Sequence, residues 1–234
     1  MKIVSVRALQ PETPGSPPDW RTQLGQILVR IDTEDGLSGY GIGGGGLAGI
    51  HVVETVLRDM LVGQDATDVE DLWNRMFRHT LAYGQKGLVI MAISGVDLAL
   101  WDLRGKRENK PLVAVLGGQA NTTVPMYKTG WSPKEVAEGK LEGFRALKLH
   151  MGRMTVAEAI DQMALVRKTL GDDMELMFDA FMSWDLETAL DVCKQMADYN
   201  FGWLEEPIRC DDLAGYAQLR DESPVPIAGG EHEY

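Results

Sequence analysis

The chain has 234 residues, a formal net charge of −12, a sequence pI near 4.8, 44% hydrophobic and 25% charged residues, which suits a globular protein of one or two domains. The acidic balance argues against nucleic acid or an anionic membrane as partner, and an acidic substrate would need local positive charge to hold it. Cys193 and Cys210 are the only cysteines and stand 17 residues apart, which fits neither a zinc pattern nor a disulfide framework, so a reducing cytoplasm is expected. Met1 leads straight into a strand-like run with no signal-peptide core, and no apolar stretch is long enough to span a membrane.

Residues 2–9 read as a strand. Residues 11–20 hold four prolines and a glycine, which makes them a loop; its functional reading is a flap with Trp20 as an apolar lid residue. Residues 25–34 and 37–42 alternate as strands around the hairpin signal Asp35-Gly36. Gly43 to Gly46 lacks the Gly-Lys-Ser/Thr continuation of a phosphate loop, so a flexible loop near the active site is the better expectation. Helical periodicity covers Ile50–Val62, Asp68–Thr80 and Gly87–Lys106; Asp97 and Asp102 within the last read as packing hydrogen bonds or surface charges. Gly117 and Gly118 suit a domain boundary, which places an α+β domain over 1–120.

From Thr123 the pattern changes. Strands are expected at 124–127, 145–151, 174–180, 202–206 and 225–229, alternating with helices at 133–142, 155–170, 185–199 and 211–220. Strands alternating with helices build a parallel sheet, and sites in such folds lie at the carboxyl ends of the strands. The predicted class is therefore α/β, with about the first five strands of a (β/α) barrel over 121–234.

Four short runs end in or carry an ionisable residue at those carboxyl ends. They hold Lys148 and His150, Asp179, Glu205, and Glu231. Asp179 to Glu205 and Glu205 to Glu231 are each 26 residues, and His150 to Asp179 is 29. One βα unit takes roughly 25–30 residues, so each interval returns the chain to the same end of the next strand. A lone acid near a strand end is more often a cap or a surface charge, and Glu205-Glu206-Pro207 alone reads as ordinary loop chemistry. Three acids at a repeated barrel interval would repel one another unless a divalent cation sits among them, and oxygen-only ligation favours Mg²⁺ or Mn²⁺. Lys148 and His150, two apart on a strand, face the same side and are candidates for acid/base work.

At these residues the chain resembles the enolase superfamily, in particular its mandelate racemase/muconate lactonizing enzyme-like members. The resemblance covers the whole chain and implies an N-terminal α+β capping domain followed by a modified TIM barrel. It implies that Asp179, Glu205 and Glu231 ligate Mg²⁺, with Mn²⁺ as an alternative, and that Lys148 matches the first lysine of a Lys-x-Lys strand. His150 stands where that pattern has a second lysine, commonly the base. Asp179-Ala-Phe-Met-Ser-Trp-Asp185 and Gly230-Glu-His-Glu233 resemble acid-sugar dehydratases of the rhamnonate type; on this view His232 joins Lys148 and Trp20 in holding substrate. Phe181 departs from the Asn that many relatives carry two residues after the first ligand.

The implied chemistry is abstraction of the proton alpha to a carboxylate and loss of a beta-hydroxyl from a small sugar acid. Lys148 and the metal would stabilise the developing charge, and His150 would act as base or hydrogen-bond donor. The alternatives are racemisation, epimerisation or cycloisomerisation on the same scaffold, or a catalytically incomplete metal-binding fragment. A closed barrel needs about eight strands, so the chain is expected to be the first part of a longer, homo-oligomeric cytoplasmic enzyme, and on its own to leave a sheet edge exposed.

Overall fold

The computed structural model describes residues 1–11, 25–119, 123–130, 143–152 and 154–233. Trp20, with most of the expected flap, and the helix expected at 133–142 lie outside the described residues. The chain divides into two compact units, 1–122 and 123–233. No helix among the described residues is long and apolar enough to cross a membrane.

In the first unit, β1 (Ile3–Leu9), β2 (Ile27–Thr33) and β3 (Ser38–Gly43) form an antiparallel sheet in that order. The β2–β3 turn needs Gly36 at φ 85, as the Asp35-Gly36 signal predicts. Helical turns then run on through α1 (Gly46–His51), a π-helical stretch at Val52–Leu57 and α2 (Arg58–Leu61). Thr55 Oγ1 donates to the His51 carbonyl at 2.6 Å, a back-bond of the kind that distorts helices, at the entry to the π stretch. After α3 (Val69–Thr80) comes α4 (Leu88–Glu108), then the short α5 (Leu112–Val115).

Helix α4 lies on the sheet because β3 presents Gly39, Gly41 and Gly43 to it. A Cβ at Gly41 would fall onto the backbones of Gly95 and Ala99, so only glycine admits this close approach. Asp102 accepts from Tyr40 N at 2.8 Å and from Lys106 Nζ at 2.7 Å, which makes it the packing hydrogen bond expected of it. The four-glycine run is a packed element, contrary to the flexible loop expected there. Gly43 ends β3, Gly44 N donates to Met91 O at 3.2 Å, and Gly46 opens α1.

The second unit carries a parallel sheet, ordered as in the chain: β4 (Lys128–Gly130), β5 (Ala146–His150), β6 (Glu175–Asp179), β7 (Trp203–Glu205) and β8 (Ile227–Ala228). The first strand forms after the Val-Pro-Met-Tyr run expected to make it. Pairing of Lys128 with Leu147 sets its place, and Pro125 has no N–H to offer a ladder. The helices are α6 (Val156–Leu170), α7 (Leu186–Met196), continued by a 3₁₀ turn at Ala197–Tyr199, and α8 (Leu213–Glu222). Their starts are written locally. Thr155 and Glu158 close a capping box on α6, and Asp185 and Asp212 accept from Thr188 N and Gly215 N at the starts of α7 and α8.

Strand alternation sorts the sheet into two faces. Leu147, Leu149, Leu176, Phe178 and Leu204 join Met163, Val166, Val192, Met196 and Leu219 of the helices in one buried core. Each such side chain contributes roughly 1.5–3 kcal/mol on burial, and Phe178→Ala would cost about 3–5 kcal/mol. Between them, Lys148, His150, Met177, Asp179 and Glu205 belong to the other face. At the amino end of the sheet, Arg167 is buried with its guanidinium on four carbonyls: Tyr199, Gly171, Met174 and Asn200, each at 2.8 Å.

Candidate active site

Parallel register brings the ionisable residues together. His150 pairs with Asp179, Asp179 with Glu205, and Glu205 with Ala228. In a parallel pair such partners point to the same side, so His150, Asp179 and Glu205 form a row across three strand ends. Lys148 lies one pleat below. Glu231 sits three residues beyond β8, in the turn that follows it and not on the strand.

Among the described residues, Asp179, Glu205 and Glu231 each offer a carboxylate oxygen within 4.8 Å of the others'. Asp179 is buried, Glu205 partly buried and Glu231 exposed, so the cluster opens toward solvent on the Glu231 side. Three hard oxygen donors at this spacing fit a Mg²⁺-sized cation that keeps some of its water. Lys148, only 8% exposed, donates to Glu205 Oε1 at 2.7 Å and Asp179 Oδ2 at 3.4 Å. Burial works against its charge; the hydrogen bond to Glu205 and the charges of Asp179 and Glu205 outweigh that and hold the ammonium above the ordinary lysine range.

His150 Nδ1 lies 3.2 Å from Asp179 Oδ2. A carboxylate only accepts, so in the neutral ring Nδ1 carries the proton and Nε2 is the basic nitrogen. The ring packs edge-on to Phe181, centroids 5.4 Å apart, and Phe181 in turn meets His232 at 5.1 Å. Phe181 and Met182 hold φ of 48 and 57, the left-handed region, and Phe181 N donates to Asp179 Oδ1 at 3.0 Å. The backbone bend after β6 thus fixes that carboxylate.

The structure brings Lys148, His150, Asp179, Glu205, Glu231 and His232 to one end of the sheet, and Trp20 lies outside the described residues. Sequence reasoning missed three supports. Trp203 donates from Nε1 to Glu205 Oε2 at 3.3 Å and meets Tyr127 edge-on at 5.7 Å; its position two residues before Glu205 was the available signal. Glu206 is the third. It is 1% exposed, and its carboxylate takes His232 Nδ1 at 2.6 Å and His232 N at 3.2 Å.

Residues 19–117 match the family model described as mandelate racemase/muconate lactonizing enzyme, N-terminal domain, and residues 133–234 match the one described as enolase C-terminal domain-like. The chain is 39% identical over 218 residues to an L-rhamnonate dehydratase of Saccharopolyspora erythraea, covering 90% of this chain and 55% of that protein. It is 38% identical over 218 residues to a 3,6-anhydro-alpha-L-galactonate cycloisomerase of Streptomyces coelicolor, covering 88% and 60%. The chain therefore spans little more than half the length of these curated relatives. A solved racemase from Streptomyces coelicolor A3(2) with bound magnesium superposes with a TM-score of 0.87 at 33% identity, covering 99% of this chain and 70% of that one.

Proposed function

The chain belongs to the enolase superfamily as a mandelate racemase/muconate lactonizing enzyme-like member, with that family's N-terminal cap and part of its C-terminal barrel, and from this we propose that it serves a Mg²⁺-dependent dehydratase of small sugar acids. The observation that carries the proposal is the meeting of Asp179, Glu205 and Glu231 with Lys148 and His150 at one sheet end. A dehydratase relative at 39% identity supports the choice of reaction.

In this reading Asp179, Glu205 and Glu231 would hold a Mg²⁺, whose contribution would be Lewis-acid polarisation of the substrate carboxylate. Lys148 adds a fixed ammonium beside that carboxylate, where negative charge grows as the alpha proton leaves. His150 receives that proton at Nε2, while Asp179 holds its Nδ1–H and so the tautomer. The C–H electron pair forms the new C=C bond, the beta C–O bond breaks with its pair on oxygen, and the departing hydroxide takes the proton from the His150 imidazolium, leaving as water and returning the imidazole to its neutral form. Ketonisation of the enol then gives a 2-keto-3-deoxy acid. His232 and Lys148 bind the substrate's oxygens.

A second reading, isomerisation without water loss, is favoured by the cycloisomerase and racemase relatives. Incubation with Mg²⁺ and a panel of sugar acids in D₂O separates the two. A 2-keto-3-deoxy product is expected. Deuterium appearing alpha to the carboxylate of an acid that has lost no water would refute dehydration.

A further inference from the structure

We infer that Glu206 is a positioning residue, a buried carboxylate that holds the Glu231–His232 turn in place and thereby fixes the third carboxylate of the site. This rests on the metal reading given above.

The turn needs holding. Strand β8 has two residues, Ile227 and Ala228, and Glu231 lies three residues past its end on an exposed turn. Gly230 stands at φ 122, a conformation other residues rarely adopt, and the turn's own bond, Glu233 N to Gly230 O, is 3.4 Å long. Asp179 and Glu205, in contrast, are the last residues of their strands and inherit their positions from the sheet.

Glu206 supplies the missing anchorage. Its backbone N donates to Ala228 O at 3.0 Å. Its carboxylate then reaches across to the turn and accepts twice from one residue, at His232 N and at His232 Nδ1. His232 directly follows Glu231, so fixing its backbone N–H and its ring fixes the peptide that carries the third carboxylate. The His232 ring is also braced against Phe181, whose backbone N–H holds Asp179. Two of the three carboxylates are thus tied through neighbouring side chains to the same small network.

Glu206 is held for this at a cost. It sits at φ 41, a left-handed backbone that a non-glycine residue adopts only under strain, and its carboxylate is almost wholly out of water. A residue following Glu205 on a continuing strand would point to the opposite face, into the apolar layer. The left-handed turn breaks that alternation, so that two successive glutamates both serve the carboxyl end of the sheet.

The test is Mg²⁺ titration by calorimetry on the unsubstituted protein, Glu206→Gln and His232→Ala, with thermal midpoints measured beside it. Glu206→Gln is expected to weaken Mg²⁺ binding about 10-fold or more while the protein stays folded, the scale at which lost supports of ligands act. His232→Ala, which keeps the backbone leg, should weaken it less. Imidazole ¹⁵N–¹H spectra give a readout that general loosening would not: a downfield His232 Nδ1–H resonance in the unsubstituted protein, absent in Glu206→Gln. Unchanged Mg²⁺ affinity in Glu206→Gln overturns the inference, and if that variant does not fold, unchanged affinity in His232→Ala overturns it. If the unsubstituted protein binds no Mg²⁺, the metal reading itself fails and takes this role with it, while a Nδ1–H resonance that is present then identifies the Glu206–His232 pair as purely structural.

Discussion

Replacing Arg167 with methionine should unfold the second unit far more easily without touching the site. The guanidinium ties the end of α6, the loop into β6 and the loop into β7 by donating to four backbone carbonyls, and it stacks over Phe201 at 5.5 Å. Methionine keeps the apolar stem and removes every donor. Hydrogen bonds from a charged donor are worth roughly 1.5–3 kcal/mol each, and the sum is offset by no longer burying a charge, which already pulls the Arg167 pKa below its usual value. A net loss of about 3–5 kcal/mol follows. Urea unfolding followed by far-UV circular dichroism reads it: at a slope of about 2 kcal/mol/M the midpoint should fall by roughly 2 M. Arg167→Lys, with one point charge in place of a planar fork, should fall in between. A methionine variant within about 0.5 kcal/mol of the unsubstituted protein would refute the staple. A loss of Mg²⁺ affinity with stability unchanged would refute the separation of staple from site.

His150→Asn should lower formation of the 2-keto-3-deoxy product by about 100-fold or more, the scale of a lost general base; turnover left intact would remove His150 from the proton transfer. Gly41→Ala should destabilise the first unit by about 3 kcal/mol or more, since its methyl would meet the Gly95 and Ala99 backbones, which cannot swing aside as a side chain would; equilibrium unfolding checks this. Asp65 accepts from Thr67 N and from the Met1 ammonium, which holds its pKa at about 2 against an ordinary 3.8. A depressed carboxyl stabilises the fold above its unfolded pKa and loses that contribution as pH falls through the folded value. Asp65→Asn should therefore cost less than about 1 kcal/mol near pH 6, the group being half exposed and screened, and the gap should close between about pH 4 and pH 2. A gap independent of pH would contradict it.

The repeated 26-residue spacing made the carboxylates legible, because a βα unit has a nearly fixed length and the register of a parallel sheet does the rest. What the spacing could not carry was the end of each strand. Glu231 looks like a strand-end residue by count and sits in a turn, because the ladder at β8 stops at Ala228. The first strand was misplaced because Val124, Met126 and Tyr127 look like one locally, whereas pairing with β5 places β4 at Lys128–Gly130. Glu206 was hidden for a similar reason. Its backbone angle and its partner 26 residues on are both tertiary facts, and the sequence shows only a doubled glutamate before a proline.

Charge arithmetic at the acidic cluster supports a divalent cation. Asp179, Glu205 and Glu231 are three carboxylates, and Lys148 is the ammonium bonded among them, to Glu205 and Asp179. The cluster keeps an excess of two negative charges in a partly buried setting, where like charges about 4 Å apart repel by several kcal/mol at an effective dielectric near 20. Of the two histidines, only His150 approaches the cluster, with Nδ1 3.2 Å from Asp179 Oδ2, while His232 Nδ1 is paired with Glu206, outside it. A divalent ion cancels the excess; a monovalent one leaves half of it, and a soft ion finds no nitrogen or sulfur donor among the three. The same balance explains why a lysine stands at position 148 next to acids that attract metal. With a divalent ion bound the cluster would carry no net charge, so a carboxylate substrate would be held by direct ligation and by the directed N–H donors of Lys148, not by a surplus of positive charge.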